Sequence, residues 1–147
     1  MRRQPRHHLD EQVFLLLGQL FSLSKKLAEK QFVVLDITVS EYSLLRIIEN
    51  TPRITAGEAR KRLVSSAPSV AQLVKSLQRK KMIEREQDAA DIRRQKIVLT
   101  AKGRKVITKA RKAIQSALHS SNVAENVLHS LLKNLTILSS SLSSYGK

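Results

Sequence analysis

The sequence predicts a mainly α-helical chain with one short β-hairpin past its middle. Three observations carry this expectation. Apolar residues recur at helical spacing through most of the 147 residues. Capping-box patterns stand at Thr38–Glu41 and Thr55–Glu58, each marking a helix start. The period changes to that of strands only at residues 82–87 and 94–99, on either side of a charged tip at 88–93.

Each element follows in order. Over residues 9–31 a broad apolar stripe holds Val13, Leu16, Leu17, Leu20, Phe21, Leu23, Leu27 and Ala28, with Gly18 the one weak point. Residues 32–38, β-branched and apolar, read as a buried connection. Thr38 caps a helix with Tyr42, Leu44, Leu45, Ile47 and Ile48 on its apolar face, and Asn50-Thr51-Pro52 stops it. Thr55 opens a short helix to about Leu63. Ser66 caps the next, which tolerates Pro68 in its first turn and runs to about Lys81 with Val70, Leu73, Val74 and Leu77 inward. After the hairpin, Thr100 caps a long helix from Ala101 with Val106, Ile107, Ala110, Ala113, Ile114, Ala117 and Leu118 on one side. A last helix from about Val123 carries Val127, Leu128, Leu131, Leu132, Leu135, Leu138 and Leu142. Their spacing of 3 and 4 describes a seam with a serine-rich back.

Charge narrows the class. The chain carries 27 Lys and Arg against 12 acids, a net +15. Residues 53–112 alone hold 18 basic and 5 acidic side chains, while the flanks are nearly neutral and Leu-rich. A basic module between apolar arms suits a reader of double-stranded nucleic acid that brings its own oligomerisation parts. Only five aromatics are present, too few for the stacking platforms of single-strand binders. With no cysteine there are no disulfides, thiolate metal sites or thiol switches. The longest apolar runs, Val13–Leu17 and Phe32–Leu35, are far short of the roughly 20 residues of a membrane helix. Residues 1–8 read as a loose arm rather than a signal, so a cytoplasmic protein without membrane partners is expected.

Two short helices joined by a tight turn and followed by a hairpin make a winged helix-turn-helix. The second helix presents its N-terminal residues to base edges in the major groove, and the hairpin tip reaches the adjacent minor groove. From about Ile37 to Val106 the sequence resembles the MarR family of transcriptional regulators. Asp91-Ile-Arg93 leading to Leu99-Thr100-Ala-Lys-Gly103 fits that family's wing. Thr55-x-x-Glu58, Leu63, Ser66-x-x-Ser69-Val70, Leu73-Val74 and Leu77 fit its helix-turn-helix, and Glu84-Arg85 enters the wing as the family does. Two departures stand out. Lys81 occupies a position where the family usually has Gly, so the helix end must be capped otherwise or a non-glycine residue must accept a positive φ. Ala59-Arg60 replaces the usual Leu-Ala.

The resemblance implies an obligate homodimer whose first helix and last two helices interlock. The expected division is residues 1–36 as arm and dimerisation helix, 37–100 as winged helix-turn-helix, and 101–147 as C-terminal dimerisation helices. Val13, Leu16, Leu17, Leu20, Leu128, Leu131, Leu135, Leu138 and Leu142 are the expected dimer contacts.

For DNA, Gln72 and Ser69 are the candidates for base contact, Gln being able to pair bidentately with adenine. Ser66 is a cap first and a phosphate contact second. Arg60, Arg62, Lys75 and Arg79 are expected phosphate anchors. On the wing, Asp91 and Arg93 are expected to brace each other and to aim Arg93 or Arg94 into the minor groove, with Lys96 beside them. The expected function is sequence-specific regulation, as a repressor, on a pseudo-palindromic double-stranded operator. In the family, small anionic or aromatic effectors act between the arms and the DNA-binding part; a regulator without an effector fits equally.

No nucleophile elbow, phosphate loop or zinc-protease motif occurs, so no enzyme is expected and no cofactor. His7, His8, His119 and His129 have no carboxylate partners at ligand spacing, so no metal site is expected either. The rival reading is an architectural protein that coats DNA with low specificity. A protein–protein adaptor is disfavoured, because it has no need of such a field.

Overall fold

The computed structural model describes residues 6–63, 66–91 and 93–145. Among them lie six α-helices and three strands. The helices are α1 (Arg6–Phe32), α2 (Val39–Asn50), α3 (Ala56–Leu63), α4 (Ala67–Arg79), α5 (Ala101–Ser120) and α6 (Glu125–Tyr145). The strands are β1 (Ile54–Thr55), β2 (Ile83–Gln87) and β3 (Gln95–Leu99). The chain divides into two compact units, one through Ile114 and one from Gln115 onward. Residues 6–8, expected in a loose arm, are the first of α1; the rest of that arm lies outside the described residues.

The capping boxes form as the sequence dictates. At α2, Glu41 N–H donates to Thr38 Oγ1 at 3.1 Å and Thr38 N–H to Glu41 Oε2 at 2.8 Å. At α3, Glu58 N–H donates to Thr55 Oγ1 at 3.2 Å and Thr55 N–H to Glu58 Oε2 at 2.8 Å.

The sheet has a strand the sequence reading did not contain. The order is β1-β3-β2, all antiparallel, with Ile54 opposite Ile97 and Arg85 opposite Ile97 on the other side. β1 is two residues long, too short for any period-2 signal. It forms because Ile54 is fully buried while the Thr55 cap brings the chain alongside β3.

The core of the first unit gathers Phe32, Ile37, Leu44, Leu45, Ile48, Ile54, Val70, Val74, Leu77, Met82, Ile83, Ile97 and Ile107. Each such burial contributes roughly 1.5–3 kcal/mol. Phe32 also stacks on Tyr42 in a tilted pair with ring centroids 5.0 Å apart. The connection 32–38 is only partly buried, which corrects the expectation for it. Val33–Leu35 form a 3-10 turn whose Val33 and Val34 are 75% and 82% exposed, while Phe32 and Ile37 are buried in the core and Leu35 packs against it half-buried.

The end of α4 settles the question posed by Lys81. Its φ is 56°, the left-handed region, and it closes a Schellman motif. Lys81 N–H donates to the carbonyl of Gln78 and Met82 N–H to that of Leu77, both at 2.9 Å. The first turn of α5 packs directly on this end. A Cβ at Gly103 would stand 2.1 Å from the Met82 carbonyl oxygen, so only glycine permits the approach.

Candidate nucleic-acid interface

Helix α4 begins at Ser66, whose Oγ accepts from Ser69 N–H at 3.4 Å. Val70, Val74 and Leu77 are its buried face. At 3.6 residues per turn the opposite face is Pro68, Gln72, Lys75 and Arg79, all exposed. Among the described residues none of Gln72, Lys75 and Arg79 has a side-chain hydrogen bond or an ion pair, so all three are available to a ligand. Ser69 sits elsewhere. Its Oγ lies 2.8 Å from Ser66 Oγ, and it lines a cavity of about 570 Å³ with Gln72, Leu73 and Ser76 against Thr38–Ser43 and with Phe21 and Lys25 of α1.

The phosphate-anchor candidates divide. Arg60 is exposed and lines an open cleft with Lys61, Arg93 and Arg94. Lys61 was missed by the sequence reading, although it stands inside the basic run Arg60–Arg62. Arg62 instead donates to Thr51 Oγ1 and ties α3 to the turn after α2. Glu58 shares the cleft. Hydrogen bonds from the backbone and hydroxyl of Thr55 hold its carboxyl below its ordinary range, aided by Lys96 and Arg62.

The wing tip is ordered by its two aspartates. Asp88 Oδ1 accepts from Ala90 N–H at 3.1 Å, and Asp91 Oδ1 from Arg93 N–H at 3.0 Å. Arg94 N–H closes a turn onto the Asp91 carbonyl at 2.8 Å. The Ala90 N–H first, and then Lys96, keep the Asp88 carboxyl below its ordinary range despite its loss of solvent. The ion pair of the tip differs from the expected one. Asp91 Oδ2 pairs with Arg94 Nε at 3.6 Å, three residues on, and meets Arg93 only through the backbone. An i, i+2 pair would require side chains on opposite sides of a tight turn, whereas the turn folds Arg94 back over Asp91. The Arg93 guanidinium is thereby left without an ion pair among the described residues. Lys96 is held by Asp88 at 3.3 Å, with only 18% of its side chain exposed, so it supports the tip from below.

A buried carboxylate sets the pose of α4. Glu41 is 2% exposed. Its Oε1 accepts from Ser76 Oγ at 2.6 Å and its Oε2 from Lys80 Nζ at 2.9 Å, in addition to the cap bond from Thr38. Burial alone would raise its pKa. The hydrogen bonds from Ser76, Lys80 and Thr38 outweigh that and lower it. Lys80 Nζ also donates to the Asp36 carbonyl at 2.7 Å. The capping box was legible in the sequence; the second partner set of the same carboxylate, 35 and 39 residues away, was not.

Comparison with known proteins bears on this geometry. The MarR family model matches residues 35–94. The transcriptional regulator HosA of Escherichia coli O127:H6 is 32% identical over 102 residues, covering 69% of this chain and 74% of HosA. The chain belongs to the MarR family. The Staphylococcus aureus MepR–DNA complex superposes with a TM-score of 0.73 at 27% identity, over 86% of this chain and 96% of MepR. A mutant MarR from E. coli complexed with operator DNA shares the fold with a TM-score of 0.75 at 21% identity, over 86% of this chain and 92% of that one.

This MarR-family chain is therefore a transcriptional regulator with a winged helix-turn-helix. Among its described residues no helix is long and apolar enough to cross a membrane. One detail of the histidine reading is corrected. Glu125 stands four residues before His129 and pairs with it at 3.5 Å, both groups lying on the exposed surface of α6.

Proposed function

We propose that the protein is a sequence-specific repressor that binds a pseudo-palindromic double-stranded operator as a homodimer. Residues 37–100 would read DNA, and residues 1–36 and 101–147 would hold the dimer. The observation that carries the reading is the unpaired stripe Gln72–Lys75–Arg79 opposite the buried face of α4, standing beside a wing whose aspartates leave Arg93 without an ion pair among the described residues. In this reading Gln72 contacts a base edge and Ser69, at the flank, adjusts the cap. Lys75, Arg79, Arg60 and Lys61 anchor phosphates, and Arg93 enters the minor groove.

Dimerisation is supported by apolar surface that one chain leaves open. Leu16, Leu20 and Val13 on α1, and Leu131, Leu135, Leu142 and Leu128 on α6, are exposed, and Leu17 and Leu138 are half-exposed. Two such stripes exceed what a soluble monomer ordinarily shows. Sedimentation equilibrium at micromolar concentration is expected to give twice the 16.6 kDa chain mass. A two-fold dimer places half-site centres about one helical turn apart.

The cavity beside Lys25 supports a small aromatic effector through its apolar floor of Phe21, Val39, Leu63 and Leu73, while Lys25, paired with Glu29 at 3.7 Å, and the Glu41 carboxylate both line it and balance its charge. A ligand there would act only through different affinities for two dimer states.

Selection of bound DNA from a random pool tests the central reading, and a palindromic consensus is the expected result. Competition at about 0.15 M salt should favour that consensus over random duplex by ~10³ or more. A ratio below about tenfold would overturn specificity in favour of an architectural protein, a reading supported by the presence of only one amide and no Arg or Asn in the first turns of α4.

A further inference from the structure

From Ile92 to Ala124 the chain holds nine Lys or Arg and no acid. Arg94, Lys96 and Arg111 are matched to Asp91, Asp88 and Glu49. Arg93 belongs to the wing. The other five stand on α5; Arg104 lies off to one side, while Lys102, Lys105, Lys109 and Lys112 recur at steps of 3, 4 and 3 and so share one helix face. All four are exposed, and none has an ion pair among the described residues. The buried face of the helix, Val106, Ile107 and Ala110, lies on the other side.

Only the start of this face borders the interface described above, where Lys102 lines one open cleft with Arg79; Lys105, Lys109 and Lys112 stand farther along α5. Lys102 Nζ donates to the Lys80 carbonyl at 2.8 Å, which places the start of the stripe at the C-terminal end of α4. Gln72, the proposed base contact, stands eight residues earlier on α4, about 12 Å away along the helix axis. From Lys102 to Lys112 the stripe extends about 15 Å along α5, close to the roughly 14 Å axial rise across five successive phosphates of one DNA strand.

We propose that the lysine face of α5 binds the phosphate backbone of a second duplex, distinct from the one held by α4 and the wing, so that a DNA-bound regulator tethers two DNA segments. The chemistry favours a polyphosphate over an acidic protein. The stripe has no aromatic or large apolar side chain to anchor a protein partner. It is built of Lys, a point charge suited to sequence-independent phosphate contact, with no Arg fork for carboxylates on the same line. A second copy set against these lysines would bring like charge, so the dimer contacts proposed above are the leucine stripes of α1 and α6 and not this face of α5. The inference rests on the DNA-binding reading above only for the first duplex.

The test uses the full-length protein. Beads carrying the selected operator, or a random duplex if no operator emerges, are saturated with protein, washed, and offered a labelled random duplex at ~0.1 M salt. The wild type should capture it. A triple variant, Lys105→Gln, Lys109→Gln and Lys112→Gln, should capture at least tenfold less while binding the bead-borne duplex within about twofold of wild type. The salt slope of capture should fall by about 3, at roughly 0.9 per phosphate contact. No capture by the wild type, or equal capture by the variant, overturns the proposal. So does capture abolished by polyglutamate at concentrations where excess duplex does not compete, which would assign the face to an acidic protein. Loss of operator specificity with lysine-dependent capture intact would instead strike only the regulator reading.

Discussion

Lys80 Nζ stands 2.9 Å from the buried carboxylate of Glu41 and joins the end of α4 to the start of α2. Hydrogen bonds from Ser76, Lys80 and Thr38 lower the Glu41 pKa below its ordinary 4.5. A carboxyl depressed by folding contributes stability that is complete above its unfolded pKa and is lost as pH falls through the lower folded value. Glu41→Gln should therefore destabilise by about 1–2 kcal/mol at pH 7, because it removes the buried, closer one of the two carboxylates that face Lys80 and leaves only Asp36, at 3.6 Å. The gap from wild type should narrow as pH falls below the ordinary 4.5 and through the lower folded value, where the wild-type carboxyl also loses its charge. Urea denaturation at pH 7 and pH 3 measures both; a gap equal at the two pH values would refute the account.

Lys81 holds a left-handed φ of 56° that glycine adopts without a Cβ penalty. Lys81→Gly should raise stability by up to about 1 kcal/mol. Lys81→Ala, which keeps the strain and removes the charge, should bring no gain. Thermal melts of the three proteins separate strain from charge.

Arg93 and Arg94 are neighbours with different duties. Arg93→Ala should weaken operator binding at least tenfold, because its guanidinium has no ion pair within the described protein. Arg94→Ala should weaken binding less, since its partner is Asp91. Asp91→Ala should resemble Arg93→Ala, because it removes the acceptor that fixes the Arg93 backbone at 3.0 Å. Gel-shift titration of the three variants ranks them, and full binding by Arg93→Ala would remove the wing tip from DNA recognition.

Gln72 and Arg79 share the outer stripe of α4 and should fail differently. Gln72→Ala should relax preference at one base-pair position per half-site, worth about 1–3 kcal/mol of discrimination. Arg79→Ala should weaken all sequences alike and reduce the salt slope by about 0.9 per subunit. Repeating the random-pool selection with each variant distinguishes a reader from an anchor.

Much of this was legible in local sequence. The caps at Thr38, Thr55, Ser66 and Thr100 are made by residues within three positions of one another, so chain order suffices to find them. The question at Lys81 came from the family resemblance alone, whose usual glycine it replaces, and its positive φ decides between the two answers left open. What escaped was non-local or too short. β1 is two residues whose pairing with Ile97 and Lys96 spans some forty positions. Glu41 meets Ser76 and Lys80 only after α4 folds onto α2. The tip pair went to Arg94 instead of Arg93 because turn geometry, not spacing alone, decides which side chain folds back.

The C-terminal end of α4 is gripped from two directions. Lys80 reaches Asp36 and Glu41 on one side. On the other, the carbonyls of Lys80, Lys81 and Met82 accept from Lys102 Nζ, Thr100 Oγ1 and Thr100 N–H. Any reorientation of α4 that leaves these bonds intact must pivot there. The helix is then a lever about 20 Å long, and a rotation of about 10° at the pivot sweeps its first turn through roughly 3 Å. Gln72, about 12 Å from the pivot, moves roughly 2 Å in the same rotation, so a small displacement at the fixed end shifts the base contact proposed for it by most of a hydrogen-bond length.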